Sequence, residues 1–301
     1  MTDQRPLNSV VLVKQVPDTH NITGDVMTDA GTMNRNALPA IFNPEDLNAL
    51  EMALQIKERC GGTVTVITMG PPKAAGVLRE ALFRGADRVI LLTDRKFAGA
   101  DTLATSYTLQ CAVQKAGPFD LVLCGRQAID GDTAQVGPQL AEKLGIPQIT
   151  YAETIVEIDS EHIVAERALD HGSEIVRCSL PVLLTVVGSA NTPRPESARR
   201  RLAQKLAAAP GEYAALRQQW PEFKTDEELD AYLAARDLRI AVWTAEEIDA
   251  KEEQVGLAGS PTQVHKINFV VLESTESKDV SPTADGIAAM IAELVHEYIV
   301  G

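Results

Sequence analysis

The residues best suited to chemistry lie in one stretch, CGRQAIDGDTAQVGP, from Cys124 to Pro138. The apolar run FDLVL leads into it and apolar residues at helical spacing follow, so it reads as a strand–loop–helix junction. The first N–H groups of a helix are unpaired and carry the positive end of its dipole, which makes such a junction a site for phosphate. Two carboxylates, Asp130 and Asp132, stand where an anion would sit. Asp132 and Gln135 have capping-box spacing, so Asp132 is expected to close the helix start and have its charge absorbed there. Asp130 is then left to accept hydrogen bonds from ribose or ribityl hydroxyls. Thr133 and the amides from Gly131 to Gln135 are left for phosphate. The stretch is not G-x-G-x-x-G, and no Gly-Lys-Ser/Thr follows it. It takes about eight residues where a strand-to-helix connection usually takes two to six, which points to function. The residues alone allow an adenine or a flavin nucleotide and do not choose between them.

The elements that must position this loop are regular over the first 150 residues. SVVLVK (Ser9–Lys14), TVTVITM (Thr63–Met69), RVILLT (Arg88–Thr93) and DLVLC (Asp120–Cys124) are short, apolar and rich in β-branched residues, as strands buried on both faces are. Helices alternate with them. NPEDLNALEMALQIKERCGG offers Asn43 as N-cap, Pro44 at the first position, a stripe of Leu47, Leu50 and Leu54, and Gly61 as terminator. Two more helices end at Gly85 and Gly117, and a fourth, after Asp132, carries Val136, Leu140 and Leu144 and stops at Gly145. This alternation predicts an α/β fold with a doubly wound, mostly parallel Rossmann-like sheet. Ligands of such sheets bind outside the carboxyl ends of the strands. That rim would consist of KQVPDT, the Asn43 turn, TMGPP, GADT and the opening stretch. Each has a plainer reading: Asn43 and Asp101 as simple N-caps, TMGPP as a helix start, Lys14 projecting into solvent.

Beyond Pro147 the pattern changes. TIVEI, HIVAERAL, EIVRCSL and VLLTVV follow one another without helices and read as an antiparallel hairpin region. From about Ser197 to Asp237 one or two surface helices are expected, one opened by a Thr225/Glu228 capping box. RIAVWTAEEI returns to a strand. The C-terminal helix carries Ile287, Ile291, Leu294 and Val295 on one side. The expected division is a nucleotide- or flavin-binding core over 1–196, a loop and helical insertion over 197–238, a return to the core over 239–272, and a C-terminal arm over 273–301.

Composition removes several function classes. The 301 residues carry a formal charge of −14, which argues against nucleic acid or an anionic membrane as partner. No apolar run approaches the roughly 20 residues of a membrane span. Cys60, Cys111, Cys124 and Cys178 are widely spaced and read as reduced thiols rather than a disulfide framework or a zinc site, and no metal is expected. MTDQRPLNS leads straight into a strand without a secretory signal, so a cytoplasmic protein is expected.

Four segments carry a resemblance over nearly the whole chain: VLVKQVPDT, NPEDLNALEMALQIKE, CGRQAIDGDTAQVGPQLAEKLG and VAERALDHGSEIVRCSLPVLLTV, with GLAGSPTQV fitting too. The chain resembles the β subunit of electron transfer flavoproteins. The resemblance implies an adenine-nucleotide-hydrolase-like fold and a heterodimer with an α subunit that carries FAD. VKQVPDT, GADTLAT and GDTAQVGP look like the electron-bifurcating type. That type would hold a second FAD at the rim of this subunit, accept hydride from NADH, and divide the electrons. One would go to the α-subunit FAD, serving a dehydrogenase or quinone oxidoreductase, and the other to ferredoxin or flavodoxin. The simple type would hold a structural AMP instead. The pocket residues so implied are Lys14, Val16, Pro17, Asp18, Asn43, Thr68, Met69, Gly70, Asp101, Thr102 and Thr105. Gly125, Arg126, Gln127, Asp130, Gly131, Asp132, Thr133, Ala134, Gln135, Val136 and Gly137 complete them, and none is a catalytic acid, base or nucleophile. Asn191, Thr192, Pro193 and Arg194 match the family's partner-docking loop. The stretch after them, and the insertion over 207–236, depart from the family pattern and leave the docking partner open. The run Arg199, Arg200, Arg201 is a solvated face by default, or a contact for an acidic partner. Two other readings stand beside the resemblance: an AMP- or ATP-binding module of the universal-stress type, and a dinucleotide-dependent dehydrogenase, which the missing glycine fingerprint disfavours.

Overall fold

Runs of uninterrupted apolar residues can be buried on both faces, and here they form the centre of a sheet. The computed structural model describes residues 5–18, 39–262 and 278–297. They fall into two compact units, Met1–Gln263 and Val264–Gly301. In the first unit the order is β1 (Ser9–Leu12), β2 (Gln15–Pro17), β3 (Ala40–Phe42), α1 (Pro44–Cys60), β4 (Val64–Met69), α2 (Ala75–Arg84) and β5 (Arg88–Leu92). Then come α3 (Thr102–Ala116), β6 (Leu121–Gly125), α4 (Val136–Leu144), β7 (Gln148–Ile158), β8 (His162–Leu169), β9 (Gly172–Ser179) and β10 (Val182–Val186). The unit closes with α5 (Ala198–Gln204), α6 (Tyr213–Gln219), α7 (Asp226–Ala234) and β11 (Ala241–Trp243).

The main sheet has nine strands in the order β11-β5-β4-β1-β6-β10-β7-β8-β9. Neighbours from β11 to β7 are parallel, and β7, β8 and β9 are antiparallel. From β1 the chain winds outward through β4 and β5, then crosses back to lay β6 on the other side of β1. The winding therefore reverses between β1 and β6, and it is outside the carboxyl ends at such a reversal that sheets of this kind form a ligand crevice. The doubly wound α/β expectation holds. A separate antiparallel pair, β2 and β3, joins the chain after β1 to the entrance of α1.

One strand sits elsewhere than the sequence suggests. Val182–Val186 reads as part of an antiparallel set, yet β10 lies between β6 and β7 and is parallel to both. All five of its side chains are buried, the pattern of an interior strand rather than of a hairpin with one wet face. Sequence order misleads because β7 is long: its first half pairs with β10, its second half projects outward, and β8–β9 is an excursion from that projection. β7 also carries a bulge against β10, where Tyr151 takes φ 57.

α1 follows its boundary chemistry, with Pro44 at its start and the Gly61 N–H returning to the Lys57 carbonyl at φ 75. Leu50 and Leu54 are buried and Leu47 packs at their margin. The segment after Ser197 contains three helices, not one or two. It is no surface layer: Ala207, Ala208, Ala209, Tyr213, Leu229, Leu233 and Leu238 belong to the same core as Val11, Leu50 and Val66. Leu229 and Leu233, one turn apart on α7, have no exposed surface. The Thr225–Glu228 capping box forms as the sequence indicates. In the second unit α8 (Ala284–His296) is capped by Thr283, and Ile287, Ile291 and Val295 are exposed. Among the described residues no helix is long and apolar enough to cross a membrane.

Because Leu233 is a full member of the core, Leu233→Ala should destabilise the protein by about 2–5 kcal/mol in urea unfolding. A change near zero would return this segment to the status of surface decoration.

Candidate functional site

A single buried carboxylate joins the two strand ends that define the crevice. Asp46, in the first turn of α1, accepts the Lys14 N–H at 2.8 Å through Oδ2 and the Gly125 N–H at 2.8 Å through Oδ1. Lys14 follows β1 and Gly125 ends β6, so α1 is pinned across the point where the sheet reverses. Gly125 is required there, since a Cβ would lie 2.6 Å from Asp46 Oδ1 and 2.8 Å from Glu45 Cβ. Burial pushes the Asp46 carboxyl up to about 7, against the opposing pull of the Gly125 and Lys14 N–H groups. Burial, with Asp46 and Glu45 nearby, also pushes the Cys124 thiol up, so it remains a packed, protonated side chain.

The rest of α1's entrance grips the loop after β6. Glu45 Oε2 accepts the Gln127 N–H at 3.0 Å, and its Oε1 lies 3.0 Å from Arg126 Nη2. Asn43 occupies the N-cap position but its side chain makes no cap bond. It donates instead to the Gln127 carbonyl at 2.9 Å and accepts the Ile129 N–H at 3.1 Å, so it serves as a loop holder rather than the simple cap expected. Glu45 and Asp46 escape the sequence reading because two acids in a first turn already match the helix dipole. Nothing local says that one of them is buried.

The two aspartates of the loop behave differently from expectation. Asp132 does not cap α4: it sits in a turn at φ 48 and accepts from Gln127 Nε2 at 3.0 Å. α4 begins later, at Val136, with Gln135 in the N-cap position and no side-chain cap. Capping-box spacing failed because Asp132 and Ala134 both adopt left-handed backbone, which keeps the segment out of the helix. Asp130 is not a free acceptor. It pairs with Lys14 Nζ at 2.7 Å across the crevice, so Lys14 does not simply project into solvent.

The row of open amides is shorter than the Gly131–Gln135 expected, since the Gly131 and Asp132 N–H groups both go to the Ala128 carbonyl. Among the described residues, no hydrogen bond occupies the N–H groups of Thr133, Ala134, Gln135 or Val136. They lie at the N-terminus of a nine-residue helix. Gly137 lets that end approach the sheet, since a Cβ would stand 2.7 Å from Thr185 Cγ2 and 3.0 Å from Cys124 Sγ. Unpaired N–H groups, a positive dipole end and the Lys14 ammonium form a donor set suited to phosphate.

The remaining rim residues divide. Thr102 Oγ1 meets Gln135 Oε1 at 3.0 Å, which links α3 to the loop. Asp101 is the N-cap expected, accepting from the Leu103 and Ala104 N–H groups. It also accepts the Thr262 N–H, and these N–H groups hold its carboxyl below the usual range despite burial. The Thr105 N–H returns to the Asp101 carbonyl. Thr68, at the end of β4, is fully buried, and among the described residues its Oγ1 has no partner. Met69 is half-buried, and the Gly70 N–H goes to the Leu92 carbonyl. Val16 and Pro17 lie in β2, and Asp18 follows them, buried; Thr19 lies outside the described residues. In the loop after β10, Asn191 exchanges hydrogen bonds with Asn48. Arg194 pairs with buried Glu51 at 2.7 Å and with Glu58 at 2.5 Å, which secures the segment 191–194 to α1. Thr192 and Pro193 lie between these anchors.

Replacing Asp46 by Asn sets an amide N–H against one of the two backbone donors and should cost about 1–3 kcal/mol. An acid whose native-state value lies above its unfolded value binds its proton first in the native state. Its stabilising contribution is therefore full below about pH 4 and is lost as the pH rises through about 7. Between about pH 5 and pH 8 the melting temperature of the wild type should fall more than that of Asp46→Asn. Parallel melting curves for the two would show that the Asp46 carboxyl does not titrate in this window.

The chain was compared with known proteins. The model of the electron transfer flavoprotein domain matches residues 30–211. An electron transfer flavoprotein subunit beta from Clostridium acetobutylicum is 40% identical over 294 residues, covering 98% of this chain and 100% of that protein. The caffeyl-CoA reductase-Etf complex subunit CarD from Acetobacterium woodii is 43% identical over 85% of this chain and 86% of its own. Protein FixA of Bradyrhizobium diazoefficiens is 40% identical over 87% of this chain and 82% of its own. With likeness along almost its entire length, the chain belongs to the electron transfer flavoprotein family, as a member of the β-subunit and FixA type.

Proposed function

We propose that this chain is the β subunit of a heterodimeric, electron-bifurcating electron transfer flavoprotein and holds FAD in the crevice between β1 and β6. The observation that carries the reading is the row of unpaired N–H groups from Thr133 to Val136 at the start of α4, with the Lys14 ammonium across the crevice. Those groups would hold the phosphates. Asp130, which pairs with Lys14, would be drawn toward a ribityl or ribose hydroxyl when the ammonium turns to phosphate. When bound, FAD supplies the capacity to take electrons in pairs from NADH and release them singly. The chain's own residues bind it, orient it and set its surroundings.

In this reading the α subunit carries the second FAD and delivers electrons to a dehydrogenase or quinone oxidoreductase. Ferredoxin or flavodoxin takes the other electron. The loop 191–194 docks the dehydrogenase, and its anchoring to Glu51, Glu58 and Asn48 presents a fixed surface that loses little freedom on binding. The relative named as a subunit of a caffeyl-CoA reductase-Etf complex is consistent with such an assembly.

The test is to purify the chain with its α partner, count flavins per heterodimer and add NADH. Two FADs, with bleaching on NADH, is the expected result. One FAD with one AMP would replace bifurcation by simple electron carriage. A flavin-free monomer with bound ATP would overturn the reading in favour of a nucleotide sensor.

A further inference from the structure

One residue beside the crevice is held in a conformation that its side chain disfavours. Tyr151, within β7, has φ 57, where a bulky residue is a genuine outlier. Its neighbours over-determine that state. The Tyr151 N–H donates to Thr185 Oγ1 at 3.1 Å, and Thr185 is buried at the carboxyl end of β10. Its predecessor Thr150 is gripped by Arg167, whose Nε donates to the Thr150 carbonyl at 3.0 Å and whose Nη2 donates to its Oγ1 at 2.6 Å. Strain maintained from both sides is a mark of a functional position.

The effect of this strain is seen at Arg126. Tyr151 is 40% exposed, and the Arg126 guanidinium lies 5.6 Å from the centroid of its ring. Glu45 takes the Nη2 and Nε edge of the same guanidinium. Among the described residues no acceptor meets Nη1. A guanidinium fixed on one face by a ring and along one edge by a carboxylate keeps its remaining donors preorganised for one more acceptor. Arg126 directly follows β6, at the mouth of the crevice.

The geometry points to Tyr151 as a positioning residue that holds Arg126 with its Nη1 edge open to an anionic oxygen of the bound nucleotide. The inference rests on the nucleotide reading of the crevice. It assigns the bulge in β7 to ligand binding and not to sheet packing.

The test titrates the nucleotide-stripped complex with FAD and, separately, with AMP. Tyr151→Phe keeps the ring and should bind as the wild type does. Tyr151→Gly relieves the left-handed backbone, so it should melt at or above the wild-type temperature yet bind about two- to fivefold more weakly. In an Arg126→Gln background Tyr151→Gly should weaken binding no further. Undiminished binding by Tyr151→Gly, or the same loss with Arg126 already removed, overturns the inference while leaving the nucleotide site intact. A wild-type complex that takes up neither nucleotide overturns both.

Discussion

Everything at the crevice depends on the bridge that Asp46 makes between β1 and β6. Two parallel strands lying side by side have no reason to end in register with a helix N-terminus. The carboxylate supplies it, taking one backbone N–H from each strand end. Because Asp46 is buried, neither donor has water as an alternative, so the bridge is costly to break. Its own burial raises the free energy of its charge, and the result is a carboxyl held up to about 7 by the position that makes it useful.

From that bridge the loop after β6 is built outward. Asn43 and Glu45, the neighbours of Asp46, hold Gln127 and Ile129, so one helix entrance sets both the strand ends and the start of the loop. Beyond that grip the backbone turns left-handed at Asp132 and Ala134. Its N–H groups are turned away from helix partners as a consequence. The loop is tightly held at one end and, among the described residues, carries unpaired donors at the other, an arrangement suited to an anion without prior reorganisation.

The sequence makes much of this legible. The apolar runs Ser9–Lys14, Thr63–Met69, Arg88–Thr93 and Asp120–Cys124 announce the parallel strands, and Pro44, Gly61, Gly85 and Gly145 mark helix boundaries where the structure has them. Where a ligand is expected followed from topology alone. What failed did so for identifiable reasons. Capping-box spacing at Asp132 and Gln135 is a local signal, and left-handed backbone at Asp132 and Ala134 overrides it. Val182–Val186 follows a hairpin in sequence but returns to the sheet's interior, a long-range pairing that no local pattern reveals. The helices after Ser197 look polar because only a few positions, such as Leu229 and Leu233, face the core.

Residue types and spacing thus determined the fold class, which rests on periodicity and local chain stereochemistry that short segments carry by themselves; the family came from the likeness of whole segments to known proteins. Tertiary structure decided which acid is a buried bridge, which is an ion-pair partner of Lys14 and which merely closes a turn. Asp46, Asp130 and Asp132 are chemically identical side chains. Their roles differ through burial and through distant partners, Gly125 lying 79 residues from Asp46 and Lys14 lying 116 residues from Asp130. Such partners are set by the packing of α1 across the sheet. In CGRQAIDGDTAQVGP, accordingly, the residues suggested a phosphate-type loop with open amides, and only the folded chain showed that Asp132 does not cap the helix and that Asp130 is paired with Lys14.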